Sequence, residues 1–189
     1  MPLQILKIPT PAPNETPSAI SLISALSLTP HPEGGYFKRT HTNPTAIPCP
    51  FPGKDGETRP LSTSIFYLLT AHSPIGRLHR NRSSIVHTAV RGRGRYVLIH
   101  ESGKVETFVV GCHVEGGEVA QWVVEGGLWK ASMLEEGAGE LLITEVVVPG
   151  FDVSDNEFMV KGRLVDIVGS DAAEELSPLL RSDGQSQVS

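Results

Sequence analysis

The side chains best suited to chemistry are His79 and His87, the cations Arg77 and Lys130, and the acids Glu33 and Glu145. An imidazole titrates near neutral pH and can both take and give a proton, so His79 and His87 are the candidate acid/base catalysts, with His87 reading equally as a hydrogen-bonded core histidine in the place of an aromatic. Arg77 and Lys130, if they share a pocket, need an answering anion, because a buried cation without one is costly. Glu145 or Glu33 would supply it as an internal ion pair. The carboxylate, phosphate or enolate of a ligand would instead make the pocket an anion site that stabilises developing negative charge. A desolvated Lys130 would also be an amine nucleophile. Glu145 alone neutralises one of the two cations, so the expectation is an anionic ligand. Gln121 is a candidate hydrogen-bonding partner for it. Tyr36, Trp129 and Phe151 are candidate aromatic walls.

Other features carry less. Cys49 and Cys112 have no histidine at a recognisable catalytic spacing. The run Arg91-Gly92-Arg93-Gly94-Arg95 reads as a hairpin turning at Gly92 rather than as an RNA-binding stretch. Gly116-Gly117 and Gly126-Gly127 lack the residue order of a phosphate loop and read as turns.

These groups need a scaffold, and the pattern along the chain supplies one. Residues 1–16 are proline-rich without an apolar period and read as an extended arm. Ile20, Leu22, Ile23, Leu26 and Leu28 suit a short amphipathic helix, with Thr16 or Ser18 as its cap. A strand follows over 36–41, and the proline-rich stretch 43–60 reads as a long loop, a lid or a partner contact. Strands are then predicted at 61–70, 76–80, 84–90, 94–100, 105–111, 119–124, 128–133 and 140–148, separated by Gly, Ser and Pro turns. Regular short strands of this kind form a sandwich or barrel. Alternation along 84–90 places Ile85, His87 and Ala89 on one face, and Val86, Thr88 and Val90 on the other. A helix is predicted near 171–180, followed by a disordered tail from Ser182 to Ser189.

The 189 residues fit a barrel domain over 17–170 with tails, and 19 Gly and 15 Pro suit an all-β chain. A net charge of −5 gives no support to nucleic acid or an anionic membrane as partner. The 2 cysteines form no disulfide framework, no apolar run approaches a membrane span, and the N-terminus lacks a signal-peptide pattern. The expectation is a cytoplasmic protein that binds a small molecule, with no nucleic-acid or membrane partner.

His31-Pro32-Glu33-Gly34-Gly35-Tyr36-Phe37 resembles the opening signature of the cupin-5 group, uncharacterised proteins similar in fold to the dTDP-sugar epimerases. Ser62 to Leu69 resembles the group's first barrel strand, and His79-Arg80 with Ser83 and Gly92 its first cupin motif. Pro149-Gly150-Phe151-Asp152 with Asp155 resembles its closing segment. The resemblance covers roughly residues 18–165 and implies an all-β double-stranded β-helix, a jelly-roll barrel with short flanking helices, commonly a homodimer.

The departures from the cupin pattern bear on chemistry. Metal-ligand slots of the general pattern fall on Arg77, His79, Ile85 and Lys130. Glu145 stands where the group carries Cys. Arg77 stays protonated, Ile85 has no lone pair and Lys130 offers a cation, so only His79 could ligate a metal. The expectation is a cupin enzyme without metal or other cofactor. It would isomerise, epimerise or cyclise a small anionic or phenolic molecule by proton transfer, with His79 and His87 as acid/base pair. The alternative is a barrel that binds a ligand, or serves as a scaffold, without turning anything over.

Overall fold

The structure, a computed structural model, describes residues 6–181. The expected tail from Ser182 lies outside the described residues. Helix α1 (Pro17–Leu26) starts where Thr16 accepts the Ala19 N–H, and it ends on Ser27 in the left-handed region. Strands β1 (Thr29–Pro30) and β2 (Tyr36–Thr42) follow. The predicted loop 43–60 contains a small hairpin of β3 (Ala46–Pro48) and β4 (Thr58–Pro60). Then come β5 (Thr63–Thr70), β6 (Ile75–Asn81), β7 (Ser84–Ile99), β8 (Val105–Gly111), β9 (Gln121–Val124), β10 (Trp129–Leu134) and β11 (Glu140–Val148). The chain closes with β12 (Asn156–Phe158), α2 (Lys161–Val168) and α3 (Ser170–Leu176). β12 and α2 were not resolved by the sequence pattern.

The strands form two facing antiparallel layers, with β7 shared between them. One layer runs β1-β2-β5-β11-β7-β9, and the other runs β8-β7-β10-β6-β12. The hairpin expected at Gly92 is absent: β7 is one strand of 16 residues that crosses from layer to layer. Its first half pairs with β11 and β9, and its second half with β10 and β8. A register shift beside Arg91 and the positive φ of Gly92, +80°, make the corner. A Cβ at Gly92 would meet the Glu140 carbonyl, so glycine is required for both space and backbone angle. Arg91, Arg93 and Arg95 around this corner pair with Glu140, Glu118 and Glu135.

Apolar side chains fill three regions. Between the layers lie Tyr67, Leu69, Tyr96, Trp122, Leu141 and Ile143. Outside β10 and β6, the helices α2 and α3 cover Leu78, Val97, Ile99, Trp129, Ala131 and Met133. Outside β5 and β11, α1 covers Leu68 and Leu142. Coverage on both sides explains why every residue of β10 is buried.

The hairpin β3–β4 is pinned to the closing segment by an ion pair. Arg59 is 2% exposed and Asp155 4%. The pair is bidentate, with Nε 2.6 Å and Nη2 3.1 Å from the two carboxylate oxygens. Arg59→Leu, which leaves Asp155 buried without its partner, should cost about 3–5 kcal/mol in denaturant unfolding, whereas a surface pair would cost under about 1 kcal/mol.

Candidate functional site

The two layers part at one end around a small cavity of about 40 Å³ that opens to solvent. Register fixes which side chains reach it. In the first layer, Arg39, Ile65, Glu145, His87 and Trp122 form one inward row across β2, β5, β11, β7 and β9. Thr63, Val147 and Ile85 form the next row. In the second layer, β10 and β6 pair with Lys130 opposite His79, and β12 and β6 with Asn156 opposite Asn81. All four of those side chains line the cavity, as do Glu33, His31, Phe37 and Phe151.

Lys130 is the buried cation at the centre, 3% exposed. Its ammonium donates to His87 Nε2 at 3.0 Å and to Glu145 Oε2 at 3.3 Å. An ammonium only donates, so His87 Nε2 must hold its lone pair, and the ring is neutral with its proton on Nδ1. Burial first, and then the charge of Lys130, push the His87 pKa well below the usual histidine range. The ring stacks on Trp122 with centroids 5.1 Å apart and planes 6° apart. His87 therefore faces inward as alternation predicts, but it sits behind Lys130 and does not itself line the cavity.

His79 lines the cavity and is held from both sides. Its Nδ1 lies 2.7 Å from the Arg77 carbonyl, which can only accept, so Nδ1 carries the proton. Nε2 then faces Glu33 Oε1 at 3.2 Å. Burial lowers the His79 pKa against the opposing pull of Glu33. Burial alone would raise Glu33, but His79, His31 and Lys130 outweigh it and hold this carboxyl below its usual range. Asn156 Nδ2, 3.4 Å from Glu33 Oε1, and the Glu33 N–H to His31 Nδ1, 3.1 Å, fix the acid in place. His79 and Glu33 thus form a buried imidazole–carboxylate unit facing the cavity.

A β-bulge explains both this unit and the displacement of Arg77. Between the pairs His79–Lys130 and Gly76–Ser132, β6 has Arg77 and Leu78 where β10 has only Ala131. The extra residue shifts the alternation, and the Arg77 side chain turns outward. Its Nη1 donates to the carbonyls of Pro178 and Leu180 at 2.8 and 3.3 Å. The expectation that Arg77 and Lys130 point into the pocket together is therefore corrected. Arg77 serves the site through its backbone: its N–H donates to the Glu33 carbonyl at 2.6 Å while its own carbonyl orients His79. Gly34, at φ +101°, lets the 31–35 loop come this close, since a Cβ there would collide with the Ile75 carbonyl.

The remaining sequence-predicted residues divide. Glu145 and Phe151 line the cavity. Gln121 is exposed on the outer face, where its Nε2 donates to Thr88 Oγ1. The Tyr36 hydroxyl donates to Glu15 at 2.8 Å, and Phe37 takes the inward position instead. Trp129 packs in the helix-covered core with the Arg80 guanidinium 4.4 Å from its ring centroid. Gln121, Tyr36 and Trp129 thus lie outside the cavity, each because it falls on the outward parity of its strand. Missed in the sequence were Arg39, Phe37, Asn81 and Asn156, all cavity-lining. Inward parity along β2, from Phe37 to Arg39, was the signal available.

The residues present do not fit a metal. His79 is the one ligating side chain in the four slots, Ile85 presents hydrocarbon, and the Lys130 ammonium occupies the centre. Among the described residues no group of three or more His, Cys, Asp or Glu is placed to hold an ion.

Comparison with known proteins agrees with this architecture. The family model described as cupin superfamily (DUF985) matches residues 20–159. An uncharacterised protein of Saccharomyces cerevisiae, YML079W, is 45% identical over 188 residues, covering 93% of this chain and 92% of that one. A hypothetical protein from Leishmania major superposes with TM-score 0.77 at 25% identity, over 89% of this chain and 100% of that one. Protein SO0799 from Shewanella oneidensis superposes with TM-score 0.73 at 24% identity, over 86% and 97%.

The two buried histidines make stability depend on pH. Each has a folded pKa below its unfolded value, so on acidification the unfolded chain takes up protons that the folded chain refuses. Stability should therefore rise with pH up to about 6.5 and fall below it, by at most about 1.4 kcal/mol per pH unit for each histidine. Urea midpoints at pH 7, 6 and 5 measure this. His87→Gln, which keeps an acceptor for Lys130, should remove about half of the acid slope.

Proposed function

The chain belongs to the DUF985 family of the cupin superfamily, and from that premise we propose that its barrel catalyses a metal-independent proton transfer on a small molecule, as an isomerase, epimerase or cyclase. The observation that carries the reading is the His79–Glu33 unit. One nitrogen of the base is locked by a backbone carbonyl, and the other sits 3.2 Å from a buried carboxylate at the cavity wall. Both ring nitrogens are engaged, so the Glu33 carboxylate is the group open to a substrate proton, which it can pass to His79 Nε2.

In the reaction the Glu33 carboxylate removes a proton from a carbon next to a carbonyl and shares it with His79 Nε2 beside it. The electron pair moves onto the carbonyl oxygen, and the Lys130 ammonium, next to His79 across the β6–β10 pair, stabilises the enolate. The unit then returns the proton to the other face of the same carbon or to the neighbouring one, so no oxidant or reductant is consumed. Glu145 offsets the Lys130 charge at 3.3 Å. His87, neutral behind the ammonium, aims it rather than acting as the second base expected from the sequence.

One observation favours the rival reading, a barrel that binds without turnover. The interior charges are already answered, Lys130 by Glu145 and Glu33 by His79, and such pairs need no substrate to be stable.

Deuterium wash-in separates the two. A panel of small 2-oxo acids, 3-oxo acids and sugars in D2O, followed by proton NMR, should show enzyme-dependent exchange at a carbon next to a carbonyl in at least one class. His79→Gln and Glu33→Gln should each slow it about 10²–10⁴-fold, and Lys130→Met about 10²–10³-fold. Absence of exchange across the panel would leave the binding reading standing. Protein purified without chelator should also contain far less than one equivalent of Zn, Fe, Mn or Ni by elemental analysis, and dialysis against EDTA should leave the exchange rate unchanged.

A further inference from the structure

The cavity has one cation left over. Lys130 is answered by Glu145, and Glu33 by His79 and His31. Arg39 lines the same cavity, yet among the described residues it forms no ion pair. Its guanidinium carbon stands 5.7 Å from the centroid of the Phe151 ring, on the segment that closes the barrel. Arg39 points inward by strand parity, two residues after Phe37 on β2. A register shift between Arg39 and His41 follows it, so it is the final inward side chain before the pairing slips.

Register also sets what lies between Arg39 and the reacting groups. Arg39, Ile65 and Glu145 occupy one row on neighbouring strands β2, β5 and β11. Two strand spacings, about 10 Å, separate the first backbone from the third. The surface spanned is largely apolar: Ile65 in the row, Val147 in the next row, and Phe151 beside Arg39. The depth of the cavity already holds Glu33 and Glu145, which repel a second anion. A ligand's negative group is therefore drawn to Arg39, where a guanidinium fork matches a carboxylate.

Resting on the reading of this cavity as the reaction site, we infer that the substrate is a small monocarboxylate with an apolar or aromatic body. Its carboxylate is held by Arg39 at the mouth, its body lies along Ile65, Val147 and Phe151, and its reacting carbon reaches Lys130 and the His79–Glu33 unit. Arg39 takes the role that the sequence suggested for Arg77, and the carboxylate and the reacting carbon stand at opposite ends of the molecule.

Calorimetry with phenylacetate and its neutral isostere phenylacetamide tests this on the whole protein. Wild-type protein should bind the acid at least about tenfold more tightly than the amide, since a charge-assisted bond to Arg39 is made only by the acid. Arg39→Gln should abolish that preference while leaving amide affinity within about twofold, and Lys130→Met should preserve it. Raising the salt concentration should weaken the acid alone, because Arg39 is exposed. Thermal melts control for folding. The inference is overturned if acid and amide bind alike, if neither binds, or if the preference survives Arg39→Gln. Loss of the preference in Lys130→Met but not in Arg39→Gln would place the anion in the depth and also overturn it. Binding requires no turnover, so failed proton exchange with intact acid preference would retire the reaction and keep the Arg39 site.

Discussion

An ammonium in the interior of a barrel dictates the arrangement around it. Lys130 sits on a strand buried on both faces, between an inner cavity and a helix-covered core. Taking that charge out of water is tolerable only with an opposite charge and acceptors at hand. Glu145 supplies the charge and His87 the acceptor, from the neighbouring strands β11 and β7 of the opposite layer, which pair with each other at those two positions. Because His87 accepts from a cation, it is locked neutral, and its ring fills the space against Trp122 as an aromatic would. One residue choice at position 130 thus constrains the identities tolerated at 145 and 87.

The second organising feature is an irregularity. Where β6 carries one residue more than β10, the side chain of Arg77 leaves the lumen and its peptide groups turn to local use. Both are saturated: the N–H by the Glu33 carbonyl, the carbonyl by His79. A regular strand would have spent them on β10. The bulge therefore converts two ladder hydrogen bonds into the mounting of an imidazole–carboxylate pair drawn from residues 46 positions apart in the chain. Placement on backbone rather than on flexible side chains fixes the orientation of the pair.

Around this polar centre the cavity is lopsided. Ile65, Ile85, Val147, Phe37 and Phe151 are apolar or aromatic, while Glu33, His79, Asn81, Asn156 and Lys130 are polar. The hairpin β3–β4 stands beside it, tied to the closing segment through Arg59 and Asp155, so Phe151 and Asn156 belong to a braced wall.

The sequence determined the strand succession, the barrel class, the α1 cap and the inward parity of Ile85 and His87. These are local properties: periodicity, turn residues and the donor set of each side chain. It also marked His79, Lys130, Glu145 and Phe151, which do meet at one cavity. Tertiary structure decided the rest. Gly92 reads locally as a turn, and only pairing with two different layers makes it a corner in one strand. Arg77 reads as inward because parity counts residues, and the bulge that breaks the count arises from pairing with β10, which no local pattern contains. Tyr36, Trp129 and Gln121 lie on the outward parity of strands whose register is set by their neighbours, so their exclusion, like the inclusion of Arg39, follows from which face of each strand the opposite layer covers.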